Sequence, residues 1–170
     1  MPSAFYDFLT NWRFEDAGIN EVADILEDTA SLPQWWPQLF HMVTIVKPGG
    51  EHGLGQIALC ECRARLPYTL RFTYACTQVD YPHGSTIEST GDLIGRGIWR
   101  LKEREGGVDV TYSWRVALEK PSLRLVSPLL RPLLANNHEW SMRRGQEGLR
   151  DEIARRRRAQ WQAAPQSEAP

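Results

Sequence analysis

Residues 108–118 have the sequence VDVTYSWRVAL, in which apolar and polar side chains alternate. The polar members stand at odd positions and are Asp109, Thr111, Ser113 and Arg115. A period of two places neighbouring side chains on opposite faces, which predicts a β-strand with one buried face. Gly106 and Gly107 precede the stretch and are typical of a hairpin turn. Residues 96–104 are therefore predicted as its antiparallel partner.

Four further apolar runs upstream are separated by glycine or proline, which typically bound strands. These runs predict strands over 41–47, 55–66, 68–79 and 85–91. The aromatic-rich residues 4–14 predict a first strand. After that strand, Asn20 is typical of a helix N-cap, and a short turn that contains Trp35 and Trp36 follows. Strands joined by short connections pair as one antiparallel sheet.

The apolar period changes to three and four residues after Pro121, which predicts a long amphipathic helix that starts after Pro132 and runs to about Arg158. Its buried stripe comprises Leu130, Leu133, Leu134, Asn137, His138, Met142, Gly145, Leu149 and Ile153. Gly145 and Gly148 lie on or beside this stripe, although glycine lowers helix stability. We expect them there because the helix packs closely on the sheet. Strands followed by a long helix predict an α+β domain.

The composition of the 170 residues is that of an ordinary globular domain, with 42% hydrophobic and 24% charged residues. No apolar run is long enough for a membrane span, and the first residues lack the basic segment of a secretory signal. We therefore expect a cytoplasmic protein in which Cys60, Cys62 and Cys76 are buried, reduced thiols. No cofactor, metal or nucleophile motif occurs, so neither a cofactor nor a metal is expected.

The net charge of −1 conceals an asymmetry along the chain. Up to Glu119 there are 10 basic and 16 acidic residues, whereas from Lys120 onward there are 10 basic and 5 acidic residues. The basic part includes four adjacent arginines, Arg155, Arg156, Arg157 and Arg158. This run predicts either a weak contact with an anionic membrane or the solvated end of a helix. Specific nucleic-acid binding is not expected, because the run is short and lacks interleaved aromatic residues.

Four stretches are similar in order and spacing to a known family: Trp35–Trp36–Pro37, RLPYTLRF at 65–72, GDLIGRGIW at 91–99 and NHEWSMRRGQEGL at 137–149. Over about residues 4–159 the chain resembles the START-related polyketide cyclase/dehydrase (SRPBCC) superfamily, particularly one bacterial branch of it. The resemblance implies a helix-grip fold. In that fold a curved antiparallel sheet of six to seven strands wraps around the long C-terminal helix, and two short helices follow the first strand. It also implies a ligand-binding domain over 1–160 and a flexible tail over 161–170.

Members of the superfamily bind lipids, sterols, hormones or polyketide intermediates between the sheet and the helix. The ligand-binding candidates here are Trp35, Trp36, Phe72, Tyr74, Trp99, Tyr112, Trp114, His138 and Met142. The resemblance places the two adjacent tryptophans at the cavity mouth. The inward face of strand 55–66 is ambiguous. We favour the face with Ala58, Cys60 and Cys62, which leaves Glu61 and Arg63 in solvent.

Three functions compete at this stage. The first is binding of a hydrophobic, lipid-like or polyketide-like small molecule in an aromatic-lined cavity. The second is a polyketide cyclase, aromatase or dehydratase in which His138 moves protons with Tyr74, Tyr112 or Arg63. A histidine at such a position is more often a hydrogen-bonded core residue. The third is an interaction protein that docks through the arginine run and Trp161.

Overall fold

A computed structural model describes residues 5–124 and 131–164 of the chain. Seven strands form one antiparallel sheet in the order β1-β7-β6-β5-β4-β3-β2. The strands are β1 Phe5–Glu15, β2 Phe40–Lys47, β3 Ile57–Cys62, β4 Leu70–Asp80, β5 Gly84–Gly91, β6 Leu93–Arg104 and β7 Gly107–Leu118. The helices are α1 Ile19–Glu27, α2 Leu32–Trp35, α3 Pro121–Arg124 and α4 Arg131–Ala163. The predicted α+β helix-grip architecture is confirmed.

Strand β7 lies between the first and sixth strands, and its apolar side chains are buried on one face of the sheet. Its partner in the predicted hairpin is β6, and the register places Trp99 opposite Tyr112. On the other side, β1 places Phe8 opposite Trp114. The large aromatic side chains of three strands therefore lie together on the concave face, where α4 covers the sheet.

Helix α1 begins two residues earlier than the sequence predicted. Its N-cap is Gly18 rather than Asn20. The backbone N–H of Gly18 donates to Oε2 of Glu21 at 2.8 Å. A carboxylate three residues into a helix satisfies an amide that would otherwise lack a partner. Glu21 therefore compensates for a cap residue that has no side chain.

Strand β3 is shorter than the predicted run 55–66, because the chain leaves the sheet to contact other segments. The N–H of Arg63 donates to the carbonyl of Leu39 at 2.9 Å, and the N–H of Arg65 donates to Oδ1 of Asn137 at 3.1 Å. The favoured inward face is confirmed, since the buried residues of this strand are Ala58, Cys60 and Cys62. Glu61 pairs with Arg71 on the outer face at 2.8 Å.

Helix α4 is buried along a stripe that begins later than the sequence predicted. The buried residues are Ser141, Met142, Gly145, Leu149, Glu152 and Ile153. Leu133 is 46% exposed, which contradicts its place on the buried stripe, and Leu130 lies outside the described residues. The helix also continues beyond Arg158 to Ala163. Most of the predicted tail, from residue 165 to 170, lies outside the described residues.

The two glycines of α4 face the Trp35–Trp36 turn, so the prediction that they contact the sheet is wrong. A Cβ atom on Gly145 would lie 2.5 Å from the indole ring of Trp36. A Cβ atom on Gly148 would overlap the carbonyl oxygen of Trp35. Only glycine allows the helix backbone to approach this turn so closely.

The arginine run attaches the C-terminal half of α4 to α1. Arg155 and Arg156 both donate to Glu152, whose side chain is only 4% exposed. Arg156 also pairs with Asp28 at 2.8 Å, and Arg157 pairs with Glu21 at 2.6 Å. Three of the four guanidinium groups are therefore engaged within the molecule.

Replacing Gly148 with alanine should destabilise the fold by roughly 3 kcal/mol, because the added methyl group overlaps backbone at Trp35. The free energy of unfolding from urea titration measures the effect. Helix propensity alone predicts the opposite, a gain of about 1 kcal/mol. Arg143→Ala on the exposed face of the same helix is the control and should change stability little. Equal or greater stability of Gly148→Ala would show that the helix does not approach the turn as described.

Candidate functional site

A cavity of about 180 Å³ lies between the concave face of the sheet and α4. Its walls come from all seven strands, from α1 and the segment that contains α2, and from the N-terminal half of α4. All nine side chains proposed as ligand contacts from the sequence line this cavity. The structure thus brings together residues that span positions 35 to 142.

The floor of the cavity is a row of aromatic rings on β6 and β7. The rings of Trp99 and Tyr112 stack with centroids 4.0 Å apart, and those of Tyr112 and Trp114 are 5.9 Å apart. Gly97 leaves room for this row. A Cβ atom there would lie 2.5 Å from the hydroxyl of Tyr112 and 2.9 Å from the ring of Trp114. A glycine in the neighbouring strand therefore sets the position of the floor.

A second stack forms the wall between β1 and α4. Phe8 and His138 stack with ring centroids 4.0 Å apart and an interplanar angle of 10°. Tyr6 continues the stack on the other side of Phe8 at 6.1 Å. Neither Tyr6 nor Phe8 was a sequence candidate. Both have even numbers, like Trp12 and Phe14, and therefore lie on the same face of β1. This shared face was the sequence signal that could have identified Tyr6 and Phe8 as cavity residues.

Trp35 and Trp36 form a buried wall of the cavity rather than its mouth. Their exposed fractions are 4% and 3%, which contradicts the rim position that the resemblance implied. Nε1 of Trp36 donates to the backbone carbonyl of Ser141 at 2.9 Å. This bond joins the turn to α4 directly above the cavity. Leu39 and Phe40, which follow the turn, also line the cavity, but no periodic pattern marks them in the sequence.

Burial sets the protonation of the polar groups that line the cavity. It lowers the pKa of His138 to about 4, so the imidazole is neutral at pH 7. Burial also raises the pKa values of the Tyr74 and Tyr112 hydroxyls well above their usual range. Within the described part of the chain, His138 makes no hydrogen bond to another residue. Its ring nitrogens are therefore available to a bound molecule.

Arg63, a proposed partner of His138 in proton transfer, does not line the cavity. It is exposed on the segment that follows β3, so that part of the enzyme hypothesis is wrong. Asn137 does line the cavity, and its amide oxygen accepts the N–H of Arg65.

Across residues 5–124 and 131–164, no group of three histidine, cysteine, aspartate or glutamate side chains is arranged to hold a metal. No helix in these same ranges has the length and apolar character of a membrane span.

Residues 8–154 match the family described as polyketide cyclase / dehydrase and lipid transport. The chain belongs to this family. The match covers the aromatic floor, the Phe8–His138 stack, the Trp35–Trp36 turn and the part of α4 that lies over the cavity. No curated protein matches the sequence.

Solved structures with the same fold include two aromatase/cyclases and a norcoclaurine synthase. The Zhui aromatase/cyclase from Streptomyces sp. aligns with a TM-score of 0.70 at 14% identity, over 90% of this chain and 96% of that chain. The di-domain ARO/CYC BexL aligns with a TM-score of 0.68 at 17% identity, over 88% of this chain and 50% of that chain. This chain therefore spans half the length of BexL. Norcoclaurine synthase from Thalictrum flavum aligns with a TM-score of 0.59 at 14% identity, over 92% and 99% of the two chains.

The lowered pKa of His138 makes the fold less stable as the pH falls. Above pH 6.5 the imidazole is neutral in both the folded and the unfolded chain. Between pH 6.5 and about 4 the unfolded chain binds a proton that the folded chain does not, so stability is lost across this window. Near pH 5 this loss amounts to about 2 kcal/mol.

His138→Phe keeps a ring against Phe8 and removes the titration. Between pH 7 and pH 5, the free energy of unfolding of the natural protein should therefore fall by about 2 kcal/mol more than that of the His138→Phe variant. Urea unfolding at the two pH values measures the difference, and NMR titration of the His138 ring gives its pKa directly. A ring pKa near 6.5 and parallel stability curves would contradict the burial of this imidazole.

Proposed function

We propose that this protein binds a hydrophobic small molecule, lipid-like or polyketide-like, in the cavity between the sheet and α4. The observation that carries the proposal is a cavity of about 180 Å³ with walls made of aromatic and aliphatic side chains. Ligand sites are concave and mostly apolar, with a few polar groups that fix orientation. His138, Tyr74 and Tyr112 are the polar groups best suited to that role.

The chemistry of the walls supports a ligand over a simple packing defect. The cavity lies among aromatic rings, and within the described part of the chain the imidazole of His138 has no hydrogen-bond partner. A bound molecule would pack against these rings and satisfy the imidazole. Membership of a family described by polyketide and lipid chemistry agrees with this proposal.

The volume also bounds the size of the ligand. An apolar cavity of about 150 Å³ accommodates benzene. In the shape described here, the cavity therefore suits a compact molecule of one or two rings. Stacking on the Trp99–Tyr112 floor would contribute about 1 kcal/mol per ring beyond the burial of apolar area.

Methyl β-naphthyl ketone is a suitable probe, and isothermal titration calorimetry with the full chain measures its binding. Leu134→Trp, which fills the cavity from α4, and Met142→Glu, which places a charge in it, should each weaken binding at least about tenfold. Lys102→Ala, on the exposed outer face of β6, is the control and should bind like the natural protein.

Far-UV circular dichroism and thermal unfolding establish that each variant is folded. Equal affinity of the control and the two cavity variants would show that the probe binds elsewhere. Native mass spectrometry of the purified protein, followed by solvent extraction, identifies any molecule that copurifies in the cavity.

Polyketide cyclisation or dehydration in the same cavity is the second candidate, and the neutral imidazole of His138 favours it. A ring nitrogen of His138 would remove a proton from the carbon next to a ligand ketone, and a tyrosine hydroxyl would donate to the enolate oxygen. A base with a pKa of about 4 is weak at neutral pH, since general bases work best with a pKa near the working pH. For this reason binding without catalysis is the principal proposal.

Hydrogen–deuterium exchange at the methyl group of the same ketone tests the second candidate. If His138 is the base, the protein accelerates exchange in deuterated buffer, with a rate that rises through pH 4 and is level above about pH 5. His138→Phe should abolish the acceleration while retaining ketone binding. Exchange that is unchanged in His138→Phe would remove this residue from any proton-transfer role.

A further inference from the structure

Among the described residues, the lining of the cavity carries no formal charge. Among the residues that the structure describes, none of the side chains around the cavity is an aspartate, glutamate, lysine or arginine. The titratable groups whose pKa values burial shifts are held in their neutral forms. Burial lowers the pKa of His138 to about 4 and raises the pKa values of Cys62, Tyr68, Tyr74 and Tyr112.

Three charged side chains on the surrounding elements have partners outside the cavity. On the outer face of the sheet, Arg71 pairs with Glu61. Beside the sheet, Nζ of Lys120 donates to the carbonyl of Thr69 at 2.6 Å. At the start of β1, the exposed Arg131 lies over the Tyr6 ring, with its guanidinium carbon 5.4 Å from the ring centroid, and donates to the carbonyl of Phe5. These groups already have partners, and none of them lines the cavity.

Hydrogen-bond donors, in contrast, are present in the cavity. The Tyr112 hydroxyl has no hydrogen-bond partner in the described part of the chain, and its raised pKa keeps it protonated. The neutral imidazole of His138 carries one N–H and one acceptor nitrogen. A bound molecule with an oxygen acceptor would satisfy these donors, whereas a fully saturated hydrocarbon would not.

We infer that the cavity selects uncharged ligands: compact aromatic ketones, quinones or phenols bind, and carboxylates, phosphates and ammonium ions do not. This inference rests on the proposed binding function and adds the ligand's charge to it. An ion that leaves water for an apolar site without a counter-charge loses several kilocalories per mole of solvation. The same apolar walls that attract a neutral ring therefore exclude fatty acids and phospholipid headgroups.

Three naphthalene derivatives of similar size separate charge from shape. They are methyl β-naphthyl ketone, β-naphthoate and β-naphthylmethylammonium, which are neutral, anionic and cationic at pH 7. Calorimetry with the full chain should show binding of the ketone, with both ions weaker by at least about 100-fold. Affinities within about threefold of one another, or tighter binding of either ion, would overturn the inference.

Met142→Lys tests the inference in the opposite direction, because it places a cation among the lining residues. We expect β-naphthoate binding to strengthen at least about tenfold relative to the natural protein. Met42→Lys, on an exposed face of β2, makes the same chemical change away from the cavity and should leave β-naphthoate binding weak. Leu134→Lys, from the half-buried part of α4, gives a second cavity cation if Met142→Lys does not fold.

The outcomes separate this inference from the proposed function. If none of the three probes binds, the proposed cavity binding fails and the inference falls with it. If all three bind and Leu134→Trp weakens each of them, the cavity binds ligands but does not select by charge. If only the ketone binds to the natural protein and Met142→Lys binds β-naphthoate, the proposed function and the inference of charge selection are both supported.

Discussion

The close contact between α4 and the Trp35–Trp36 turn determines the geometry of this molecule. Gly145 and Gly148 remove the two side chains that would hold the helix away. At that separation, Trp36 donates to the backbone carbonyl of Ser141. The contact therefore fixes the height of the helix above the sheet and, with it, the depth of the cavity. Two residues that are poor helix formers are required here because packing outweighs propensity.

Ion pairs fix the other end of the same helix. Glu152 is buried beneath the guanidinium groups of Arg155 and Arg156, and Arg157 reaches Glu21 on α1. The charge asymmetry along the sequence thus corresponds to an attraction between acidic side chains of α1 and the basic C-terminal half of α4. Burying these groups costs solvation, so the pairs specify the docking of the helix more than they stabilise the fold. With three arginines engaged, the run is poorly suited to the anionic-membrane contact that the sequence suggested, and we do not propose one.

The sequence predicted most strands and the aromatic floor, because a strand with one buried face shows its orientation in every second residue. Trp99, Tyr112 and Trp114 could be assigned to the cavity on that basis. Alternation left the inner face of β3 ambiguous, and the small side chains of Ala58, Cys60 and Cys62 favoured the face that proved to be buried. Agreement between local pattern and tertiary burial is what makes these assignments possible.

The remaining features depend on contacts between distant segments, which no local pattern encodes. Periodicity placed Gly145 on a buried stripe but could not say that its neighbour is Trp36. It also overextended the stripe to Leu133, because an apolar residue on a helix does not show whether anything covers it. Phe8 became a cavity residue through its stack on His138, a contact across 130 positions that only the fold reveals.

The tryptophans around the cavity also form a continuous chain of rings. Trp35 lies 5.4 Å from Trp36, Trp36 lies 5.8 Å from Trp12, and Trp12 lies 5.4 Å from Trp99. Indoles at such separations exchange excitation energy far faster than they emit light. A quenching molecule in contact with Trp99 would therefore reduce the emission of all four rings together. The packing of these rings makes the protein's intrinsic fluorescence a collective signal, through which binding of the proposed ligand would be followed.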